Sequence, residues 1–207
     1  MSPSSSAIIQ DIMESREAGL ASLAYFYFDV TDTNKQHLHN ALPSILTQLS
    51  ARSYSCQEIV SRLHVAHDDG AHKPSTRTMI TCLKEMLALP GQGPVFIILD
   101  ALDECPNISG IPSAREEVLD FLKGLVGAQL SNLRICVTSR PEVDIRAALE
   151  PLAFRSLSIH DQNGQKNDIE DYIRSVVYAN SDTAMRRWGV QDKELVINTL
   201  SKRADGM

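Results

Sequence analysis

Positive charge is scarce and scattered: 20 Lys and Arg stand against 26 Asp and Glu, for a net charge of −6. A nucleic-acid footprint needs clustered cations, so no nucleic-acid partner is expected. Long apolar runs are missing as well. No stretch approaches the roughly 20 residues needed to cross a bilayer. The opening MSPSSSAIIQDI lacks the basic segment and apolar core of a secretory leader. Cysteine is sparse too, and Cys56, Cys82, Cys105 and Cys136 lack the short paired spacing of a zinc site. Two of them lie in apolar helix or strand patterns, where a buried free thiol is the simpler reading. A reducing, cytoplasmic compartment fits. There is no internal repeat or low-complexity tract. With 43% hydrophobic and 22% charged residues, 207 residues suffice for one α/β domain and the start of a second.

What is present centres on PVFIILDALDEC, Pro94 to Cys105. The apolar run to Leu99 follows turn formers at Gly91, Gly93 and Pro94, and predicts a strand buried on both faces of a parallel sheet. It stops at Asp100, and Asp103 and Glu104 follow at once. A carboxylate at a strand tip lies at the carboxyl border of the sheet, where open α/β folds bind ligands. Three acids in five residues repel one another unless a cation such as Mg²⁺ joins them. This is the Walker-B pattern, with Asp100 for the metal and a nearby acid to orient water. The structural alternative is a core strand running into a solvated acidic turn.

The rest of the chain alternates helix and strand. Ser4 to Glu17 predicts a serine-capped helix with Ile8, Ile9, Ile12 and Met13 on one face. Leu20 to Asp29 predicts a strand, and Thr31 to Lys35 a polar turn. His37 to Ser50 predicts a helix that Pro43 kinks or restarts. Cys56 to His64 is a short helix. His64, His67, Asp68, Asp69 and His72 admit a metal reading, but a solvated loop is the simpler one. Ser75 or Thr76 caps a helix with Met79, Cys82, Leu83, Met86 and Leu87 inward. Ser113 and Glu116 form a capping box, opening a helix with Val118, Phe121, Leu122, Leu125 and Val126 inward.

A second buried strand, Leu133 to Ser139, leads to Arg140 and to Pro141 in the first turn of a helix, Glu142 to Leu149. Arg140 thus shares a sheet border with Asp100, placed to meet a terminal phosphate, or simply to balance Asp103 or Glu104. Phe154 to His160 predicts a last strand. A helix capped by Asn167 carries Ile169, Tyr172, Ile173, Val176 and Val177. Another, Asp192 to Ala204, carries Leu195, Val196, Thr199 and Leu200 inward. The organisation is therefore a mainly parallel α/β domain over 1–161, followed by the start of a helical domain over 162–207.

Three segments in order, FYFDVTDTNKQ (Phe26 to Gln36), ILDALDEC (Ile98 to Cys105) and VTSRPEVDI (Val137 to Ile145), resemble the NACHT modules of the STAND class of signalling NTPases. The nearest resemblance is to the nephrocystin-type N-terminal NTPase domain of large fungal proteins. It implies that Asp100 holds Mg²⁺ through water, that Asp103 or Glu104 orients or deprotonates the attacking water, and that Arg140 senses the γ-phosphate. Also implied are ATP as cofactor, a helical lid beginning near DIEDYI, a cytosolic switching role, and partnership with homologous modules or self-association.

The chain departs from that family in one respect: nothing matches G-x-x-x-x-G-K-[ST]. A triphosphate needs backbone N–H donors at a helix start, an ammonium group, and a hydroxyl for the metal. The resemblance puts SSSAIIQDI on the helix after that missing loop, so the first strand is expected to be absent and its neighbours unpaired. The leading expectation is a partial NACHT-type switch with impaired nucleotide binding and hydrolysis. One alternative is a non-catalytic interaction module that pairs with full-length relatives. A second is a Mg²⁺-dependent phosphohydrolase, with Asp29 as an additional acid.

Overall fold

Three parallel strands form one sheet: β1 (Ser22–Tyr27), β2 (Val95–Asp100) and β3 (Leu133–Val137), in the order β1-β2-β3. The register pairs Ser22 with Val95 and Tyr27 with Asp100, and Val95 with Leu133 and Leu99 with Val137. All three strands run the same way, so their carboxyl ends share one border. The computed structural model describes residues 3–107, 112–157, 163–179 and 188–204. The chain divides into two units, Met1–Ala153 and Phe154–Met207.

β2 is the middle strand, which explains its unbroken apolar run. Val95, Ile97 and Leu99 belong to a large core shared with α2 (Leu38–Ser50), α3 (Tyr54–Val65), α4 (Thr76–Leu87) and α5 (Ala114–Val126). Ile98 and Leu23 pack on the other face with Ile9 of α1 (Pro3–Glu17). Leu42, Ile45, Leu83 and Met86 are wholly buried, each stabilising the fold by about 1.5–3 kcal/mol relative to exposure. Ser53, Ser75 and Ser113 cap α3, α4 and α5, and Ser113 and Glu116 complete a reciprocal capping box. The α/β architecture expected from the alternation of elements is the one observed.

The two borders of the sheet differ. Ser22 N–H donates to Pro94 O, just before β2, and Phe28 N–H to Asp100 O at its end, so the alternate residue Tyr25 turns its backbone groups outward. There the Gln48 side chain of α2 stands in for a strand: its Oε1 accepts Tyr25 N–H at 3.1 Å and its Nε2 donates to Tyr25 O at 2.8 Å. On the far side, Asn132 O accepts from Val95 and Thr138 N–H donates to Leu99. The backbone N–H and C=O groups of Ile135 and Val137 therefore point away from β2, and among the described residues β3 has no strand beyond it.

Several sequence expectations need correction. α2 runs through Pro43 unbroken, so the proline starts no second segment. Pro141 precedes Glu142, the cap of α6 (Val143–Leu149), and is not in the helix's first turn. β3 ends at Val137, two residues before Ser139. Val126 is exposed, whereas Leu119 is buried. Phe154 to Leu157 form no strand, and Ser158 to His160 lie outside the described residues.

In the second unit α7 (Asn163–Tyr178) is already helical four residues before Asn167, and the side chains of Asn167 and Ile169 lie outside the described residues. With α8 (Val190–Ala204), α7 buries Val177 and Ile197. Tyr172, Val176, Leu195, Thr199 and Leu200 point outward instead. Two helices share one narrow seam, too little to cover every apolar position on either. Beside it Arg174 bonds Glu194 at 2.7 and 3.2 Å and Glu170 at 3.1 Å, and Tyr178 Oη donates to Glu194 at 3.0 Å. Those bonds from Arg174, then Tyr178, hold the Glu194 carboxyl below its usual range.

Candidate functional site

The acids of the LDALDEC segment are displayed at the carboxyl border by one sharp turn. Asp100 is the last residue of β2, and its side chain is buried inside that border, with the residue only 2% exposed. Thr138, the first residue after β3, donates its hydroxyl to Asp100 Oδ1 at 2.6 Å. The same Oγ1 accepts Ala101 N–H at 3.1 Å. Ala101 then adopts a left-handed conformation, φ 56° and ψ 49°, at a cost of about 1–2 kcal/mol for a residue with a Cβ. The reversal lets Leu102 N–H reach Thr138 O at 2.9 Å and sends the Leu102 side chain into the core.

Leu102–Glu104 form a 3-10 turn. Successive side chains in such a turn are rotated by about a third of a circle, and the two acids part accordingly. Asp103 faces the segment after β3: its Oδ1 accepts Arg140 N–H at 3.0 Å, and its Oδ2 lies 3.4 Å from Arg140 Nε. Glu104 faces the segment after β1, where its Oε2 accepts Val30 N–H at 3.1 Å. Cys105 Sγ–H donates to Gln36 O at 3.1 Å, tying the same two segments together. Burial pushes the Cys105 thiol up to about 12.

Asp100, Asp103 and Arg140 thus gather at one border, with Asp103 and Arg140 in direct contact. The Arg140 side chain is 81% exposed and that of Asp103 11%. Asp29 is engaged elsewhere. Thr31 donates both its hydroxyl, at 2.6 Å, and its N–H, at 2.8 Å, to Asp29 Oδ1, which holds that carboxyl below the usual carboxylate range. In the histidine-rich stretch, His64 closes α3. His72 pairs with Asp68 at 2.8 Å, His64 approaches Asp69 at 3.8 Å, and His67 bonds Leu63 O. Among the described residues no three His, Cys, Asp or Glu side chains converge to hold a metal.

The match of the nephrocystin 3 N-terminal family model spans residues 2–140, from the start of the first helix through all three strands to Arg140. The chain belongs to the nephrocystin 3 N-terminal family. No curated protein and no solved structure matches it. The family match takes in the whole LDALDEC turn and ends on the cation that turn contacts.

For a Mg²⁺ ion this family member offers a single carboxylate, Asp100, oriented by Thr138. Mg²⁺ characteristically takes one or two carboxylates and completes its octahedron with water and phosphate, so the acid fits that share. A triphosphate is not matched. The chain has no glycine-rich loop ending in lysine and a hydroxyl residue, and two other cations near this border are already engaged, Arg115 with Asp103 O, Cys105 O and Asp144, and Lys35 with Asp32 and the Tyr27 ring. Sequence reading missed Thr138 as a partner of Asp100, and missed Arg115 altogether. Arg115 could have been noticed: with Val118, Leu119 and Leu122 it sits at i, i+3, i+4 and i+7, on the inward stripe of α5.

Proposed function

We propose that this chain carries the acidic and sensor half of a NACHT-type, nucleoside-triphosphate-dependent switch, with nucleotide binding and hydrolysis impaired for want of G-x-x-x-x-G-K-[ST]. The observation that carries this reading is the Asp103–Arg140 pair beside Asp100 at the carboxyl border of a parallel sheet. In it, Asp100 is the Mg²⁺ carboxylate, Asp103 or Glu104 is the water-orienting acid, and Arg140 is the phosphate-facing cation. Arg140 is suited to that part, because its exposed guanidinium is held by one long contact that a phosphate would outcompete. The setting is cytoplasmic and the partners are homologous modules. Isothermal titration with Mg·ATP tests the reading, and no binding in the micromolar range is expected. Micromolar affinity abolished by Asp100→Ala would overturn the impairment and retain the metal role. Micromolar affinity unaffected by Asp100→Ala would overturn both.

A second reading, a non-catalytic module that pairs with intact relatives, draws on the contrast between the sheet borders. Gln48 closes β1, while Ile135 and Val137 of β3 present backbone groups with no strand beside them among the described residues. Open strand edges pair readily with other chains. Light scattering of the chain mixed with an intact family member tests this: a stoichiometric complex, lost on Ile135→Pro, supports it, and two independent monomers refute it.

A further inference from the structure

Arg115 is a buried charge that the reading above leaves without a task. The residue is 8% exposed, and each of its three guanidinium nitrogens donates a hydrogen bond. Nη2 donates to Asp103 O at 2.6 Å and Nε to Cys105 O at 3.0 Å. Nη1 reaches both carboxylate oxygens of Asp144, at 3.3 and 3.1 Å. Asp144 lies in the first turn of α6, immediately after the Arg140 segment, and Asn107 Nδ2 also donates to it at 3.0 Å. One side chain therefore grips the backbone on both sides of Glu104 and, through Asp144, the helix that follows Arg140. A planar fork with fixed donors suits this, and a flexible ammonium does not.

We infer that Arg115 is a positioning residue, a clamp that sets the distance between the acidic turn and the Arg140 segment, so that Asp103 meets Arg140. The inference rests on reading Asp103 and Arg140 as the functional pair. A buried guanidinium held by two carbonyls and one carboxylate is costly to desolvate. Its donors converge on the one turn whose orientation decides where Asp103 points. Asp103 Oδ1 accepts the Arg140 N–H, so that amide reports the clamp directly.

The experiment is residue-resolved amide hydrogen exchange on the full chain, comparing Arg140 N–H with Thr138 N–H, which donates to Leu99 O inside the sheet. In Arg115→Ala, Arg140 protection is expected to fall tenfold or more while Thr138 protection holds. Asp144→Asn, which leaves Arg115 in place but weakens its hold on α6, should give a smaller fall at Arg140 alone, and it decides the matter if Arg115→Ala does not fold. Protection at Arg140 that is unchanged, or lost only together with Thr138, overturns the clamp. Asp103→Ala separates the two ideas. If Arg140 stays protected without Asp103, the functional pair fails. If Asp103→Ala exposes Arg140 and the Arg115 and Asp144 variants do not, only the clamp fails.

Discussion

Asp100 and Thr138 join the ends of two parallel strands through a 2.6 Å hydrogen bond, and the same threonine oxygen receives the amide of Ala101. A single hydroxyl thus serves a buried carboxylate and a strained backbone turn. Thr138→Val keeps the shape and deletes the hydroxyl, leaving Asp100 without that donor and Ala101 N–H without that acceptor. Loss of about 1–3 kcal/mol is expected, which for a chain of this size lowers Tm by about 2–4 °C per kcal/mol. Thr138→Ser should recover most of it. Thermal unfolding by circular dichroism reads the difference, and equal melting of the valine and serine variants would discount the bond.

Gln48 is the lid on the free side of β1. Gln48→Leu fills the same space but strips Tyr25 N–H and C=O of their partners in a half-buried setting. A destabilisation of about 1–3 kcal/mol follows, and the uncovered edge should promote self-association. Urea denaturation together with light scattering checks both effects. A variant as stable and as monodisperse as the parent would show that the side-chain amide is not acting as a surrogate strand.

Ala101 occupies left-handed backbone space without being glycine. Ala101→Gly removes the Cβ penalty but adds freedom to the unfolded chain, so a gain of up to about 1 kcal/mol is expected. Ala101→Val is expected to cost at least as much in the opposite direction, because a branched side chain tolerates this conformation poorly. The order Gly, Ala, Val in denaturation midpoint is the checkable outcome.

Cys105 is wholly buried, and its thiol is raised from 9.0 to about 12 by burial. The folded state therefore keeps a proton that the unfolded state releases. Stability from this group is fully present below about pH 9 and is lost as pH rises toward 12. In native protein at pH 8, Cys105 should resist a thiol reagent that labels the half-buried Cys136. Cys105→Ala should flatten the alkaline fall in stability. Mass spectrometry of labelled peptides and pH-dependent unfolding test the two halves.

The sequence by itself determined the elements whose signal is local. The run from Val95 to Leu99, short and preceded by Gly91, Gly93 and Pro94, pointed to a strand covered on both faces. Ser113 with Glu116 fixed the start of α5, and two carboxyl-directed strand ends put Asp100 and Arg140 on one border. Tertiary structure decided what depends on residues far apart in the chain. Which acid meets Arg140 follows from the rotation of a 3-10 turn, and spacing in LDALDEC does not reveal it. That Gln48 closes one edge, that Thr138 receives Ala101, and that Arg115 grips Asp103 and Asp144 are hydrogen bonds spanning 12 to 37 positions. In the helical unit, periodicity named the apolar positions of α7 and α8 without saying which would find cover. Where α7 and α8 face each other Val177 and Ile197 are buried, while Tyr172 and Leu195 are exposed. Periodicity reports the face a helix could bury, and burial itself needs a surface to press against.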